Sequence, residues 1–215
     1  SNQAPQLTTT NFTLTAVNQG TTDPTGDNLG TIIDSIIVDR PVAFSLNTNI
    51  SLAGVYRSSV ATADFNGDGD IDILLTGRNS RFQPISRVYL NDGSGGFTQA
   101  TNISLTGVDF SSVATADFNG DGDIDILLTG RGSGDNRISR VYLNDGSGGF
   151  TQATNISLTG VYVSSVATAD FNGDGDIDIL LTGRGSGDNR ISRVYLNDGS
   201  GGFTHATNIS LTGVY

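Results

Sequence analysis

The chain has 215 residues and a formal net charge of −11; its 22 acidic residues are all Asp and its 11 basic residues are all Arg. An acidic chain with scattered Arg lacks the basic stripe that phosphate contacts need, which argues against nucleic-acid binding. No stretch approaches the roughly 20 apolar residues that span a bilayer, so membrane insertion is not expected. Missing Glu and Lys, with plentiful Gly, Thr, Ser, Val and Ile, predict an all-β protein of strands and tight turns.

Residues 1–43 differ in character from the rest, being rich in Thr and Asn. Strand-like pieces at Phe12–Val17 and Thr31–Val38 flank a turn cluster at Gln19–Gly30. This pattern predicts an N-terminal β-rich arm, folded as a hairpin or as two extended segments. Residues 44–56 then match Phe97–Asp109 and predict the closing strand of a partial repeat.

Three near-identical units of 53 residues follow, at 57–109, 110–162 and 163–215. The first unit contains four β-like runs separated by loops and turns: Ser59–Ala63, Ile71–Thr76, Ile85–Leu90 and Phe97–Leu105. Four strands per unit predict propeller-type blades of four antiparallel strands in tandem. Because propellers usually close with four to eight blades, we expect the end blades to need a cap or a second copy of the chain. Such head-to-tail association gives a ring if it closes and a filament if it does not.

Each unit carries the loop Asp-Phe-Asn-Gly-Asp-Gly-Asp-Ile-Asp, at 64–72, 117–125 and 170–178. Oxygen-bearing residues stand at alternate positions, and the two glycines let the loop curl around one ion, as a hard cation such as Ca²⁺ requires. An EF-hand would need a Glu at position 12, but the residues there are Leu75, Leu128 and Leu181. The alternative interpretation is a solvated, metal-free Asp/Gly turn.

The loop and the Ile-Leu-Leu-Thr-Gly that follows it resemble the FG-GAP or VCBS repeat of integrin α-subunit propellers and secreted bacterial proteins. The resemblance implies a propeller blade with calcium between its first two strands, about one Ca²⁺ per repeat. The ligands that it implies are Asp64, Asn66, Asp68, Asp70, Asp72, Asp117, Asn119, Asp121, Asp123, Asp125, Asp170, Asn172, Asp174, Asp176 and Asp178. Because close carboxylates repel one another, we expect this metal to be structural and coupled to folding.

Other polar features are weaker signals. Asn-X-Ser/Thr sequons make glycosylation candidates of Asn11, Asn49, Asn102, Asn155 and Asn208. The single histidine, His205, replaces a Gln of the other units and is interpreted as a polar surface substitution. With no Cys, Glu, Lys or second His, the usual nucleophile and base pairs cannot be assembled, so an enzyme is not expected.

A repeated Arg-X-Tyr stands in the third strand of each unit, for example Arg140 and Tyr142. Two residues apart on a strand, both side chains share one face and could stack on sugar rings. Packing between blades, with the Arg paired to an Asp of the neighbouring loop, is the interpretation that we prefer.

Together these patterns predict a secreted, calcium-stabilised repeat protein with a structural or adhesive role. Copies of the chain are the expected partners, assembling head-to-tail into an extracellular fibre or ring with the N-terminal arm as connector. The alternative is a lectin-like carbohydrate-binding module, with glycans as partners and avidity gained by repetition.

Overall fold

The computed structural model describes residues 46–209 and residue 211. The chain divides into two units, Ser1–Leu46 and Asn47–Tyr215, and the description below concerns the second. The predicted N-terminal arm at 1–43, with its strands Phe12–Val17 and Thr31–Val38, lies outside the described residues.

The described residues form twelve strands in three four-stranded antiparallel sheets, each connected in simple sequential order. The first blade consists of β1 (Tyr56–Ala63), β2 (Asp72–Arg78), β3 (Pro84–Asn91) and β4 (Phe97–Gln99). The second consists of β5 (Asp109–Ala116), β6 (Asp125–Arg131), β7 (Arg137–Asn144) and β8 (Phe150–Gln152). The third consists of β9 (Tyr162–Ala169), β10 (Asp178–Arg184), β11 (Arg190–Asn197) and β12 (Phe203–His205).

This architecture confirms the all-β prediction and the four-stranded blade. Apart from the strands, the described residues contain two single 3₁₀ turns, at Ser133–Asp135 and Ser186–Asp188. No helix in this part of the chain has the length and apolar character to cross a membrane.

The predicted fourth strand, Phe97–Leu105, is too long. Strand β4 ends at Gln99, and the Ala100 N–H then donates to the Val88 carbonyl at 2.9 Å as the chain leaves its sheet. Residues 100–108 form a linker that contacts both blades; Val108 bridges to Ile85 of the first blade, and the Thr106 N–H donates to the Tyr142 hydroxyl of the second. The β-favouring residues after Gln99 therefore serve contacts between blades rather than a strand ladder.

The partial repeat shows the same behaviour. Residues 46–55 contain no strand, contrary to the prediction for 44–56, and β1 begins only at Tyr56. The Ala53 N–H donates to the Tyr89 hydroxyl at 3.0 Å, as Thr106 does to Tyr142 one blade later. This segment thus takes the place of a linker in front of the first blade.

The apolar core lies between adjacent blades rather than inside one sheet. Phe65, Leu74 and Val88 of the first blade pack with Ile126 and Leu128 of the second, and all five are buried. A second cluster joins the second and third blades through the equivalent residues Phe118, Leu127, Val141, Ile179 and Leu181. Each single sheet needs a neighbour to cover its faces, as expected for a repeat protein.

Candidate metal loops and blade junctions

The first residue of each Asp-rich loop holds the loop closed. In the second blade, Asp117 Oδ1 accepts N–H bonds from Gly120 at 2.7 Å and Asp121 at 3.2 Å, and Asp117 Oδ2 accepts from Gly122 at 2.8 Å. Gly120 and Gly122 have φ angles of 75° and 95°, a conformation that suits glycine and that turns their amides inward. The same bonds recur at Asp64 and Asp170.

The last residue of the loop, Asp125, is the first residue of β6 and has no exposed surface. Its Oδ2 accepts from the Phe118 N–H and its Oδ1 from the Asn144 N–H, both at 2.8 Å, so the carboxylate joins the loop to β7. Burial, with the negative charges of Asp121 and Asp117, raises the pKa of Asp125 to about 6 against these two bonds. The pKa of Asp72 is raised for the same reasons, with burial again the main cause.

Positions three and five of the loop contact each other. The Asn119 side-chain amide donates to Asp121 Oδ2 at 2.7 Å, and the Asp123 N–H donates to Asp121 Oδ1 at 2.9 Å. The carboxylate of Asp123 faces the turn after β7, where a side chain at Gly146 would place its Cβ 2.6 Å from Asp123 Oδ2. This Asn-Asp-Gly turn, which connects β7 and β8, therefore packs against the Asp-rich loop of its own blade.

The donor set of the loop suits a hard cation, since it offers carboxylate and amide oxygens and no softer ligand. Within the described part of the chain, however, no three Asp or His side chains converge closely enough to share a metal ion. The carboxylates are turned instead onto loop amides. Each carboxylate oxygen has two lone-pair sites, so an oxygen that accepts a single N–H bond, such as Asp117 Oδ2 or Asp121 Oδ1, keeps capacity for a cation. The residues therefore fit Ca²⁺ by chemistry, and calcium binding stays a prediction.

The two blade junctions repeat one set of contacts. Asn144 donates to the Phe65 carbonyl at 3.1 Å, and Asn197 donates to the Phe118 carbonyl at 3.0 Å. Phe65 meets Phe150, and Phe118 meets Phe203, edge to face, with 5.9 Å between ring centroids in both pairs. Because Phe65 and Phe118, with their carbonyls, belong to the Asp-rich loops of the first and second blades, the loop of one blade is also the docking surface for the next.

A hydroxyl pair adds to each junction, between the second strand of one blade and the first strand of the next. Thr76 Oγ1 lies 2.8 Å from Ser111 Oγ, and Thr129 Oγ1 lies 2.8 Å from Ser164 Oγ. The next members of this series are Thr182 on the third blade and Ser58 on the first. Among the described residues neither has such a partner.

The first and third blades each have one outer face that packs against no other described blade. Residues equivalent to those of the internal junctions are exposed on both faces. Phe171 of the third blade is 44% exposed, whereas its equivalents Phe65 and Phe118 are 0% exposed. On the first blade Val60 and Ile71 are 62% and 54% exposed, although their equivalents in the later blades are packed in the two clusters. Both faces are open with respect to the described residues.

Asp109 is an important residue that the sequence analysis did not select. Its side chain has no exposed surface. The carboxylate forms ion pairs with Arg78 of the first blade, at 2.8 Å from Nε, and with Arg131 of the second blade, at 3.1 Å from Nε. Its equivalents one repeat before and after are Tyr56 and Tyr162. A single Asp among aligned Tyr residues was the available signal.

The repeated Arg-X-Tyr packs between blades, which is the interpretation preferred over stacking on sugar rings. The Arg, however, is not paired with an Asp. Tyr142 donates to Thr106 Oγ1 at 2.7 Å, and Arg140 donates to the same hydroxyl. Arg193 and Tyr195 hold Thr159 in the same way. The Arg partner is therefore a linker threonine, and these pairs are engaged in the junctions of the second and third blades.

The predicted glycosylation positions that the structure describes lie at the surface. The described sequon residues Asn49, Asn102, Asn155 and Asn208 are all exposed, whereas Asn11 lies outside the described residues. Their exposure is compatible with glycosylation, which stays a prediction. His205 is partly buried beside Tyr195, with 5.6 Å between the ring centroids.

Comparison with known proteins finds the FG-GAP-like repeat at residues 64–128, 117–181 and 170–215. A human protein, Cartilage acidic protein 1, is 31% identical over 134 residues. That match spans 57% of this chain but only 20% of the relative's length.

Proposed function

The chain belongs to the FG-GAP-like repeat family, and from this premise we propose that it is an extracellular, calcium-stabilised structural or adhesive protein that assembles with copies of itself. Calcium binding, self-assembly and an extracellular location are distinct properties of the chain. Each has its own support in the described residues or in the family.

Calcium is supported by the charge balance of the loops. Asp117, Asp121 and Asp125 lie near enough to raise the pKa of the last carboxyl, and no Arg or Lys stands in the loop sequence to offset their charge. Bound Ca²⁺ would neutralise this repulsion and would be held by the oxygens of the loop, with Asp125 and its equivalents as the buried ligands. Because the loops of the first and second blades are also docking surfaces, the metal would stabilise the junctions between blades.

Assembly is supported by the unmatched contact halves at the two outer faces, and this is the observation that carries the proposal. The third blade offers Phe171 and Thr182, and the first blade offers Asn91, Phe97 and Ser58. These are the partners that meet at both internal junctions. The first blade of a second copy would therefore fit the third blade in the register already used twice, and this heterologous contact can repeat. The N-terminal arm is proposed as a connector that adds strands to a neighbour.

An extracellular location is supported by the repeat family and by the human relative named for cartilage. Loops of this type are suited to environments in which Ca²⁺ is abundant. The exposed sequon residues fit the same location.

Electron microscopy and light scattering of the purified chain, in millimolar calcium and in EGTA, test the proposal. We expect regular filaments or closed rings in calcium that dissociate on chelation. Monomers in both conditions would refute the assembly, and an unchanged melting curve in EGTA would refute the calcium.

Two variants test the proposed register. Phe171→Asp blocks the third-blade face and Val60→Asp blocks the first-blade face, so each alone should stop growth. Mixed together, they should form a capped dimer, because the intact third-blade face of one meets the intact first-blade face of the other. Phe82→Asp is the matched control, since Phe82 is 70% exposed but lies in the loop between β2 and β3. If the mixture stays monomeric, the heterologous contact is wrong.

A further inference from the structure

A cavity of about 690 Å³ lies where the first strands of all three blades meet. Arg57, Phe110 and Val163 occupy equivalent positions in the three repeats and all line it, and Arg184 and Arg190 line its third-blade side. The volume falls within the range of small-molecule sites. None of the described residues that line the cavity is acidic, although the chain as a whole carries a charge of −11.

The backbone directs these equivalent residues into the cavity. Arg57, Phe110 and Val163 have φ angles of 54°, 48° and 46°, in the left-handed region that disfavours residues with a side chain. Each lies at a register shift in the pairing of its blade, where a bulge re-aims the side chain. The left-handed conformation thus recurs in all three blades at the equivalent residue that lines the cavity.

The junction between the first and second blades shows what the arginines equivalent to Arg184 bind. Arg78 and Arg131 are equivalent residues, and both are paired with the buried carboxylate of Asp109. Arg184 is the third member of this series, but the residue equivalent to Asp109 in its blade is Tyr162. Arg184 has no ion pair with any described residue. A second copy docked in the proposed register would bring Tyr56, which also lacks a carboxylate.

Arg57 is held without an acidic partner as well. Its guanidinium lies 4.1 Å from the centroid of the Phe110 ring, and Arg131 covers the same ring at 4.6 Å. Arg131 is neutralised by Asp109 and Asp135, whereas Arg57 has no ion pair within the described part of the chain. Stacking therefore fixes the position of Arg57 and leaves its charge for another group.

Hydroxyl groups complete the cavity wall. Ser58 and Ser165 line it and are exposed, so they can donate to or accept from a bound molecule. Guanidinium groups with neighbouring hydroxyls suit an oxyanion, which takes charge-assisted hydrogen bonds in a fork geometry.

We propose that this cavity is a binding site for an oxyanion, carboxylate or sulfate, carried on a small hydrophilic molecule. Arg184 and Arg57 bind the anionic group, in the role that Asp109 fulfils internally at the first junction. The serine hydroxyls contact the rest of the ligand. The site needs all three blades, since each contributes one of the equivalent residues that line the cavity.

Isothermal titration with sodium sulfate, sodium glucuronate and glucose tests this site. The titration is done at low chloride on the Phe171→Asp variant, so that assembly and anion binding are measured separately. We expect saturable binding of at least one anion and none of glucose. Tighter binding of glucuronate than of sulfate identifies an acidic sugar as the ligand class, whereas tighter binding of free sulfate would contradict an anion carried on a larger molecule. Failure of both anions to bind overturns the proposal.

Variants assign the binding to the cavity. Arg184→Gln should weaken anion binding by at least about tenfold, and Arg57→Gln should act in the same direction. Arg81→Gln is the matched control, because it removes the same charge from an exposed loop residue outside the cavity. Tyr162→Asp supplies an internal carboxylate and should also abolish binding, with circular dichroism to verify the fold. Equal weakening by Arg81→Gln and Arg184→Gln would show nonspecific charge attraction and overturn the site.

Discussion

The side-chain amide of Asn144 donates to the backbone carbonyl of Phe65, 79 residues earlier in the chain, at 3.1 Å. Asn144 also donates to the Ile124 carbonyl of its own blade, so a single amide ties the β7 turn to two Asp-rich loops. In the first blade Asn91 makes the equivalent of the second bond, to Ile71, but donates to no neighbouring blade among the described residues. Comparison of Asn144 with Asn91 therefore isolates what the hydrogen bond across the junction contributes to stability.

Asn144→Ala should lower the free energy of unfolding by about 1–2 kcal/mol more than Asn91→Ala does. Both variants lose the bond within the blade, but only Asn144→Ala leaves the buried Phe65 carbonyl unpaired. Urea unfolding followed by circular dichroism measures the difference. Equal losses would mean that the bond across the junction does not stabilise the fold.

Asp109→Asn should destabilise the chain by about 3 kcal/mol, because two partly buried Arg side chains lose their shared carboxylate. Asp135→Asn is the control; that carboxylate is 68% exposed and its pair with Arg131 should contribute less than about 1 kcal/mol. Thermal unfolding at low and high salt measures both variants. Similar small effects would contradict a structural role for Asp109.

The effect of Asp121→Asn on the melting temperature should be opposite in the absence and in the presence of calcium. In EGTA it removes one of the charges that repel Asp125, so the melting temperature should rise slightly. In millimolar calcium it weakens a ligand, and a tenfold weaker site removes about 1.4 kcal/mol of calcium-dependent stabilisation. Melting curves in both buffers measure the effect. The same shift in both would indicate a loop that does not bind the ion.

Asp145→Ala should lower the melting temperature at pH 7, with a difference that narrows in acid. The N–H groups of Ser147 and then Gly149 lower the pKa of Asp145 below its usual 3.8. A lowered folded pKa means that the stabilisation is complete above 3.8 and is lost as the pH falls through the folded pKa. Melting curves of both proteins at pH 7 and at successively lower pH measure the difference. A difference that does not depend on pH would contradict the role of the charge.

Ala53→Thr should raise the free energy of unfolding by about 0.5–1.5 kcal/mol. Thr106 and Thr159 occupy this position in the later repeats, and their hydroxyls accept from a Tyr and an Arg. Arg87 and Tyr89 occupy the equivalent positions in the first blade, and the Tyr89 hydroxyl already accepts from the Ala53 N–H. Thr106→Ala should cause a loss of similar size, and denaturant unfolding measures both. A neutral Ala53→Thr would show that the partial repeat is not held like a linker.

Much of this architecture could be predicted from the residues. The repeat length, the four strands and the turn glycines depend on local preferences that recur three times, so the blade and its antiparallel order were correct. The length of β4 was not, because residues after Gln99 have β-favouring side chains but use them against a neighbouring blade. Local preference cannot distinguish a strand partner from a blade partner.

The candidate sites also combine features that the local sequence predicts with features that only the tertiary structure determines. The residue types of the Asp-rich loop alone point to a hard cation, since their spacing and glycines are local properties. The structure decided that Asp125 is buried and that the loop forms a blade junction. It also decided the role of Asp109 and the acid-free wall of the cavity. These features depend on contacts between residues tens of positions apart, and the folded packing of one blade on the next determines them.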